Sequence, residues 1–314
     1  MDISGQRKFP FLSRMGSEPH WSVIINSKTC SDKEWTRWQR LLDKNHISYS
    51  AFKTDSIALL SGTLSKLLEE GNLHFLFAGG DGTLHHGGNL LIKLAGPKSK
   101  LITIGVLPSG SGNDWARTFG FEKNKLVESL KKGHMEPLHV IKLNWPDGKE
   151  RYAFNMVGGA LDAAVVNYLS SSKMNNAGSI KYPIALLKTL MKPHRWNGTL
   201  VIDGVNYEGE WLTIQAGFGK YCGGGMYVLP HTESDSAGLL LMKPKSLLKL
   251  LTSLPKLYNG KVAQQKEAIA LHFSTIEIQH TGLPIPIEAD GEWLGTSPVK
   301  MSVEIGILNR LMSV

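Results

Sequence analysis

An apolar segment that runs into a glycine-rich turn, residues 73–84 (LHFLFAGGDGTL), constrains the fold of this chain more than any other stretch. The run from Leu73 to Ala78 is nearly unbroken, which is typical of a strand covered on both faces, as in a parallel sheet. Gly79, Gly80 and Gly82 then permit positive φ angles, and they lack the Cβ atoms that would keep phosphates away from backbone N–H groups. The turn is therefore predicted to hold the phosphates of a nucleotide.

Two oxygen-bearing side chains lie within this turn. Asp81 is a hard oxygen ligand, placed to hold Mg²⁺ or to accept a hydrogen bond from a reacting hydroxyl. Thr83 adds a hydroxyl at the start of the next helix, where backbone donors and the helix dipole favour an anion. Asp-Gly is also a common hairpin turn, but residues 84–94 do not alternate as a returning strand would, and this weakens the hairpin alternative.

A second strand, loop and helix follow in the same order. Residues 101–107 (LITIGVL) form another apolar run, and the small polar loop 108–114 (PSGSGND) precedes a helix that is predicted to begin near Trp115. Either Asn113 or Asp114 can cap that helix. One such loop has a purely structural explanation. Two neighbouring parallel strands, however, would bring both loops to the carboxyl edge of the sheet, where ligands bind.

Two common nucleotide-binding signatures are absent from these loops. His85 stands where a G-x-G-x-x-G motif would have its third glycine, and the chain contains no G-x-x-x-x-G-K-[ST] loop. Binding of a redox dinucleotide and hydrolysis by a P-loop enzyme are therefore poorly supported.

The two glycine loops resemble those of a known family. Gly79–Thr83 (GGDGT) is similar to the motif shared by diacylglycerol, sphingosine, ceramide and NAD kinases and, more loosely, by phosphofructokinases. Residues 108–114 are similar to the P-x-G-[TS]-x-N-D motif of the diacylglycerol kinase catalytic domain. Three later stretches agree in order and spacing: residues 154–162, 217–226 and 289–294. Over about residues 20 to 312, the chain thus resembles the bacterial lipid kinase branch of the diacylglycerol kinase catalytic domain family.

This resemblance implies a fold of two parts. The first is an α/β domain, Rossmann-like with a mostly parallel sheet, and the second is an all-β sandwich, which agrees with the frequent β-rich runs after residue 139. We predict a disordered tail at residues 1–18, an α/β nucleotide-binding domain at 19–139, a β-sandwich lipid-substrate domain at 140–303, and a segment 304–314 that returns to the N-terminal domain.

The resemblance also implies a function. It indicates an ATP-dependent lipid kinase that transfers the γ-phosphate of Mg·ATP to a hydroxyl of diacylglycerol or a related lipid, in the cleft between the domains. Glu292 would be the general base, and Asp81 would be catalytic through the Mg·ATP phosphates. The residues that would hold the nucleotide are Asn26, Thr54, Gly79, Gly80, Asp81, Gly82, Thr83, Gly110, Ser111 and Asn113.

The chain departs from the family pattern in three places. The family's first nucleotide loop reads N-P-x-[SG]-G, but Asn26 is followed here by SKTC. His86 stands where the family usually has a glutamate. Ala237 occupies the position of the key aspartate in a structural Mg²⁺ site of bacterial members, which leaves Asp235 or Glu233 as substitutes. We predict that this second metal is weak or missing.

The net charge of +8 calls for an anionic partner, which is a nucleotide, a nucleic acid or an anionic membrane. Nucleic acid is the weakest of the three, because no RNA-binding signature, zinc finger or arginine-rich arm is visible. No apolar run approaches the roughly 20 residues that span a bilayer, and Cys30 and Cys222 are the only cysteines. We expect a cytoplasmic protein, peripheral at the inner face of the membrane, with a merely soluble basic surface as the alternative.

Two other functions stay open. An NAD kinase shares the GGDGT turn and the two-domain plan, although the second loop argues against it. A non-catalytic nucleotide- or lipid-binding protein is favoured by the altered first loop, by His86 and by Ala237, and opposed by the presence of Asp81, Asn113, Asp114 and Glu292.

Two apolar helices, predicted at residues 180–191 and 246–259, either line a route for an acyl chain or simply pack on the sheet.

Overall fold

The computed structural model describes residues 19–110, 112–121, 123–171, 181–191, 195–229 and 236–312. The α-helices are Asp32–Lys44 (α1), Ile57–Glu69 (α2), Asp81–Ala95 (α3), Asp114–Thr118 (α4), Lys123–Lys132 (α5), Leu161–Ser171 (α6), Lys181–Leu190 (α7) and Leu247–Ser253 (α8). The strands are Trp21–Asn26 (β1), Tyr49–Thr54 (β2), His74–Gly79 (β3), Thr103–Pro108 (β4), Met135–Asn144 (β5), Glu150–Ala153 (β6), Met156–Ala160 (β7), Trp196–Ile202 (β8), Val205–Trp211 (β9), Thr213–Gly217 (β10), Tyr221–Cys222 (β11), Met226–Tyr227 (β12), Ala237–Met242 (β13), Ala268–Phe273 (β14), Thr275–His280 (β15), Pro286–Ala289 (β16), Glu292–Thr296 (β17) and Val299–Leu311 (β18).

The N-terminal part of the chain forms a parallel sheet in the order β2-β1-β3-β4. β1 pairs with both β2 and β3, and β3 pairs with β4. Side chains of α1, α2 and α3 pack with these strands in one core, so that nearly every residue of β1, β3 and β4 is buried. Continuous apolar strands of this kind are what a sheet covered on both faces requires.

The rest of the chain is mainly antiparallel. β18 pairs in parallel with β4 and antiparallel with β5 and β15, and the same sheet continues through β8 to β9. A second antiparallel sheet has the order β14-β13-β10-β7-β16-β17. Apolar side chains of both sheets share one core, including Leu200 and Ile276 of the first sheet and Ile214 and Ile287 of the second. The predicted fold class, a parallel α/β domain followed by a β-sandwich, is confirmed.

Helices α7 and α8 are attached to the sandwich. Ala185 of α7 is buried in the sandwich core, whereas α8 has no buried residue. The helix predicted over residues 246–259 is divided into α8 and a 3-10 helix at Leu254–Leu257. The division falls at Pro255, which has no backbone N–H to continue the α-helical hydrogen bonds. Within the described ranges, no helix combines the length and apolar character needed to cross a bilayer.

Candidate active site

The two glycine loops meet at the carboxyl edge of the parallel sheet. The first loop (residues 79–83) joins β3 to α3, and the second loop (residues 108–114) joins β4 to α4. Because β3 and β4 are parallel neighbours, the loops leave the sheet side by side. A Cβ atom on Gly110 would lie 2.6 Å from the Cα atom of Gly80, so the two backbones leave no room for a side chain.

The glycines of the first loop serve close packing rather than an unusual backbone angle. Gly80 is the N-cap of α3 with φ −100°, and Gly79 and Gly82 are not among the residues with positive φ. The first loop therefore does not use the positive φ angles that its glycines permit. A Cβ atom on Gly79 would instead collide with Oγ1 of Thr83, because α3 begins directly after the strand and folds back over its end.

Asp81 connects the first loop to the second. Its Oδ2 atom accepts the N–H of Asp114 and its Oδ1 atom accepts the N–H of Trp115, both at 3.0 Å. The Asn113 side chain does not cap α4. Its amide closes the second loop on itself by accepting the N–H of Gly110 at 3.0 Å and donating to the carbonyl of Gly110 at 2.6 Å. Asp81 therefore caps α4 from the neighbouring loop.

Asp114 is buried at this junction, and Asp81 is half-buried with a carboxylate that is largely withdrawn from water. Burial raises the pKa of Asp81 to about 6, although the N–H groups of Trp115 and Asp114 act in the opposite direction. Burial also raises the pKa of Asp114, against the lowering effect of the Gly224 N–H and of Arg117. Asp114 accepts the N–H of Gly224 at 2.8 Å and pairs with Arg117 at 2.6 Å. Because Gly224 lies between β11 and β12, Asp114 ties the second loop to the C-terminal half of the chain.

Asp290 is a site residue that the sequence reasoning missed. Its carboxylate accepts the N–H groups of Phe154, Asn155 and Met156 at 2.8, 2.8 and 3.0 Å. It also lies 2.9 Å from Nδ1 of His85 on α3, and both side chains are almost fully buried. One carboxylate thus fixes α3 to the start of β7.

Asn89, one turn further along α3, strengthens the same attachment. Its side-chain amide donates to the carbonyl of Tyr152 and accepts the N–H of Tyr152, both at 2.9 Å. The amide thus pairs with both backbone groups of Tyr152, as the backbone of a neighbouring strand would. A Cβ atom on Gly88 would collide with the ring of Phe154, which shows how closely α3 packs on this part of the chain. The helix that begins in the first loop is therefore held on the second half of the chain by several independent contacts.

Glu292 reaches the first loop from the other side of the cleft. Its Oε1 atom would lie 3.0 Å from a Cβ atom on Gly82, and it is 3.5 Å from Nε2 of His86. Burial raises the pKa of Glu292, but the hydrogen bond and positive charge of His86, with the charge of His85, outweigh it, so the pKa lies below its ordinary value. Glu292 is therefore ionised at neutral pH beside the N-terminus of α3.

A cavity of about 340 Å³ lies where these groups meet. Six predicted site residues line it: Asn26, Thr54, Gly80, Gly82, Thr83 and Glu292. Lys28, which follows β1 and adds a positive charge to the wall, was not predicted. Glu292 and His86 also border a larger groove of about 1130 Å³, so they stand at the junction of two spaces.

Two of the lining residues are fixed by hydrogen bonds within the N-terminal domain. The Asn26 amide donates to Thr83 Oγ1 at 2.9 Å, and its oxygen accepts the N–H of Lys28 at 3.1 Å. Thr54 is buried and donates to the carbonyl of Ile25. The segment that follows β1 is therefore linked to the helix that follows the GGDGT turn.

The remaining predicted residues are placed differently. Gly79, Asp81, Gly110 and Asn113 do not line the cavity but form its supporting layer, in which the two loops are joined. Ser111, and the metal candidates Asp235 and Glu233, lie outside the described residues. Among the residues that the structure does describe, no group of three or more His, Cys, Asp or Glu side chains is arranged to hold a metal ion.

This chain combines an α/β domain that carries two glycine loops with an antiparallel β-sandwich, and a cleft lies between them. That combination defines the class of two-domain proteins that includes NAD kinases and diacylglycerol kinases. Residues 20–143 match the family described as "Diacylglycerol kinase catalytic domain", and residues 155–312 match that described as "YegS C-terminal NAD kinase beta sandwich-like domain". This chain belongs to the diacylglycerol kinase-like family that combines these two domains.

Individual proteins agree with this assignment. The chain is 28% identical over 247 residues to a "Diacylglycerol kinase" of Mycobacterium tuberculosis (strain CDC 1551 / Oshkosh), covering 76% of each sequence. It is 24% identical over 306 residues to a Bacillus subtilis (strain 168) protein named "Putative lipid kinase YtlR", covering 90% of this chain and 96% of that protein. A crystal structure of a diacylglycerol kinase from Bacillus anthracis str. Sterne superposes with a TM-score of 0.68 at 18% identity, covering 94% of this chain and 97% of the other. The last similarity establishes the fold.

Proposed function

We propose that this protein is an ATP-dependent lipid kinase, a phosphotransferase with an alcohol group as acceptor. It transfers the γ-phosphate of Mg·ATP to a hydroxyl of diacylglycerol or a related lipid in the interdomain cleft. The observation that carries the proposal is the position of the Glu292 carboxylate, which comes from the sandwich and stands over Gly82 at the phosphate-binding end of α3.

The nucleotide occupies the cavity of about 340 Å³ in this proposal. Backbone N–H groups of the first loop, at the N-terminus of α3, receive the phosphates, and the helix dipole favours their negative charge. Asn26 and Thr54 lie at the ends of β1 and β2 and face the same space, and Lys28 adds a cation there. Gly110, Ser111 and Asn113 support the phosphates from the second loop.

Asp81 is the residue that we propose for the Mg²⁺ ion that accompanies ATP, and it would reach that ion from the layer directly behind the cavity wall. Each of its carboxylate oxygens accepts one N–H and retains a further acceptor position. Because burial raises the pKa of Asp81 to about 6, a nearby cation would offset the cost of its buried charge. When bound, Mg²⁺ neutralises negative charge on the phosphoryl group.

Glu292 acts as general base. The acceptor hydroxyl loses its proton to the Glu292 carboxylate, its oxygen forms a bond to the γ-phosphorus, and the bond from that phosphorus to the oxygen bridging to the β-phosphate breaks. The products are ADP and a phosphorylated lipid. His86 keeps Glu292 ionised and oriented toward the first loop, since it lies 3.5 Å from the carboxylate.

We propose that part of the acceptor's apolar chain enters the sandwich, at a cavity of about 80 Å³. This apolar cavity is lined by Leu186 and Leu190 of α7, by Leu250 of α8, and by Leu240 and Met242 of β13. Both helices that the sequence suggested for an acyl-chain route therefore border one cavity. α6, whose first residues also line it, packs on the hairpin β16-β17 that carries Glu292.

The proposal is tested by transfer of labelled γ-phosphate from ATP, with Mg²⁺, to a panel that contains short-chain diacylglycerol, a ceramide, a sphingoid base and NAD. We expect label in one lipid class and none in NAD. Label in NAD would instead make the protein an NAD kinase. If no acceptor is labelled although ATP binds, the result favours a non-catalytic nucleotide-binding protein or an acceptor outside the panel.

A further inference from the structure

Helices α7 and α8 carry large apolar side chains that point into solvent. Leu248 is 73% exposed and Met191, directly after α7, is 71% exposed. Ile184, Leu187 and Leu247 are each more than a third exposed. Solvent exposure of so many large apolar groups on two short helices is costly in water, so this surface is suited to an apolar partner.

The charges on the same helices all have one sign. Residues 181–191 contain two lysines and residues 243–261 contain five, and neither segment contains an aspartate or a glutamate. Lys188, Lys249 and Lys256 are exposed. Leucine side chains flanked by lysines, without acidic residues, are typical of helices that lie in the headgroup region of an anionic bilayer.

Adjacent faces of the same helices border the apolar cavity of the sandwich. Leu186 and Leu190 of α7 and Leu250 of α8 line that cavity, whereas Leu187 and Leu248 beside them face outward. The outward apolar residues are therefore immediate neighbours of the cavity wall. A surface that touched a bilayer here would place the cavity next to the hydrocarbon region.

We propose that the outward faces of α7 and α8, represented by Ile184, Leu187, Met191, Leu247 and Leu248 and by the lysines among them, dock this protein on an anionic lipid bilayer. This docking face would let a lipid pass from the bilayer into the apolar cavity without crossing water. The inference rests on the proposed lipid kinase function and adds the surface through which the acceptor arrives. A protein partner is disfavoured because the five apolar residues that define the face include no aromatic side chain and its described charges are lysines, whereas protein interfaces are enriched in aromatic and arginine anchors.

Vesicle sedimentation without ATP tests the docking face separately from catalysis. The native chain is expected to sediment with vesicles of phosphatidylglycerol and phosphatidylcholine, more weakly with phosphatidylcholine alone, and more weakly at high salt. Lys249→Gln should reduce binding to the anionic vesicles about fivefold, since each lysine near such a surface contributes about a factor of five. The double variant Met191→Ser with Leu248→Ser should abolish binding and leave the fold intact, because both residues are exposed.

Matched controls come from other exposed positions. Val205→Ser changes an apolar residue that is 57% exposed at the start of β9, and Lys33→Gln removes an exposed charge on α1. Both are expected to bind vesicles as the native chain does. Equal losses in the controls and in the docking-face variants would overturn the proposal, because vesicle binding would then depend on the total charge and total exposed apolar area rather than on this face.

Two further results separate this proposal from the proposed function. Phosphorylation of a water-soluble short-chain diacylglycerol should be unchanged in the double variant, while phosphorylation of long-chain diacylglycerol in vesicles should be lost. Absence of all kinase activity with normal vesicle binding would refute the kinase and leave the docking face standing. If the native chain ignores vesicles but self-associates in sedimentation velocity, and Leu248→Ser makes it monomeric, the face joins copies of the chain and the docking proposal is wrong.

Discussion

His86 Nε2 lies 3.5 Å from Glu292 Oε1, and this contact joins the α/β domain to the sandwich at the centre of the cleft. Both side chains are partly exposed, at 36% and 41%, so each can respond to solvent and to a bound substrate. His86 is a base that can carry a positive charge, so this contact can favour the ionised form of Glu292. Proton transfer to Glu292 should therefore depend on His86.

Replacing His86 should change the pH dependence of turnover. Desolvation raises the pKa of Glu292 and His86 lowers it, so His86→Gln leaves desolvation less opposed and raises the pKa. A general base works only when ionised, and activity falls as pH decreases through its pKa. The acid limb of the kcat profile is thus expected to move to higher pH in His86→Gln. The control is His272→Gln, since His272 is an exposed histidine on β14, at the edge of the second sheet opposite to the β17 strand of Glu292. If the acid limb of the kcat profile did not move in His86→Gln, the assignment of Glu292 as a base tuned by His86 would be contradicted.

Gly110→Ala should destabilise the protein. The new Cβ atom would lie 2.6 Å from the Cα atom of Gly80, and only a backbone shift can relieve that contact. Overpacking of this kind costs about 1–3 kcal/mol, so thermal unfolding should occur several degrees lower and ATP binding should weaken. Gly62→Ala is the matched control, since Gly62 is inside α2 with nothing near its Cβ position, and it should raise stability by about 0.5–1 kcal/mol. Equal effects of the two substitutions would argue against contact between the loops.

Asp81→Asn should remove a pH-dependent component of stability. Burial raises the pKa of Asp81 from its usual 3.8 to about 6, so the folded protein binds more protons than the unfolded chain between these values. Stability from this group is full below pH 3.8 and is lost as pH rises through about 6, by an upper limit of ~3 kcal/mol. Denaturant unfolding from pH 4 to pH 7 should show this decline in the native chain and a flatter curve in Asp81→Asn.

The absolute stability of Asp81→Asn does not decide this test. The variant also loses an acceptor for one of the N–H groups of Asp114 and Trp115, which costs about 1–3 kcal/mol at every pH. Only the slope against pH reports the buried carboxylate. Parallel curves for the two proteins would mean that folding does not desolvate the Asp81 carboxylate.

Asp290→Asn should be far more damaging than the same change in a similar turn. The Asp290 carboxylate has four partners, and the amide would leave at least one buried N–H unpaired and disturb His85, at a cost of about 2–4 kcal/mol. Turnover should fall at least tenfold, because Glu292 is two residues away. Asp203, also followed by glycine in a turn with positive φ, accepts the N–H groups of Ser274 and Thr275 at the surface.

Asp203→Asn is therefore the control for that prediction. It should lower stability by no more than about 1 kcal/mol and leave turnover unchanged, since its turn is exposed and lines neither the cavity nor the groove beside Glu292. Comparable losses of stability and turnover in both variants would show that Asp290 has only a local role in its turn.

The sequence predicted the parallel sheet because local features specify it. The uninterrupted apolar runs of β3 and β4, each followed by small and polar residues, place both glycine loops at one edge, and the structure confirms the α/β and sandwich architecture. The presence of Asn26, Thr54 and Glu292 around one cavity agrees with the residues that the family resemblance selected, and their roles stay proposals.

The functions of Asp290 and Asp81 within the fold were not visible in the sequence. Asp290-Gly291 is a good turn, and that local explanation conceals a carboxylate whose partners are more than 130 residues away in the chain. Likewise, the glycines of the first loop suggested positive φ, whereas contact with Gly110 is what excludes a side chain at this junction. A sequence pattern indicates which backbone angles a short segment can adopt. It does not indicate which loops touch, because that depends on the order of the strands in the sheet.

The most direct test of the account is a comparison of turnover and ATP affinity in Glu292→Gln. Turnover with a short-chain diacylglycerol should fall about 10²–10⁴-fold, the usual contribution of a general base, while ATP affinity and thermal stability stay close to those of the native protein. Glu208→Gln, an exposed glutamate of the hairpin β8-β9, should behave as the native protein does. Retention of near-native turnover by Glu292→Gln would contradict the proposed role of Glu292, and with it the claim that the cleft between the two domains is the place of phosphoryl transfer.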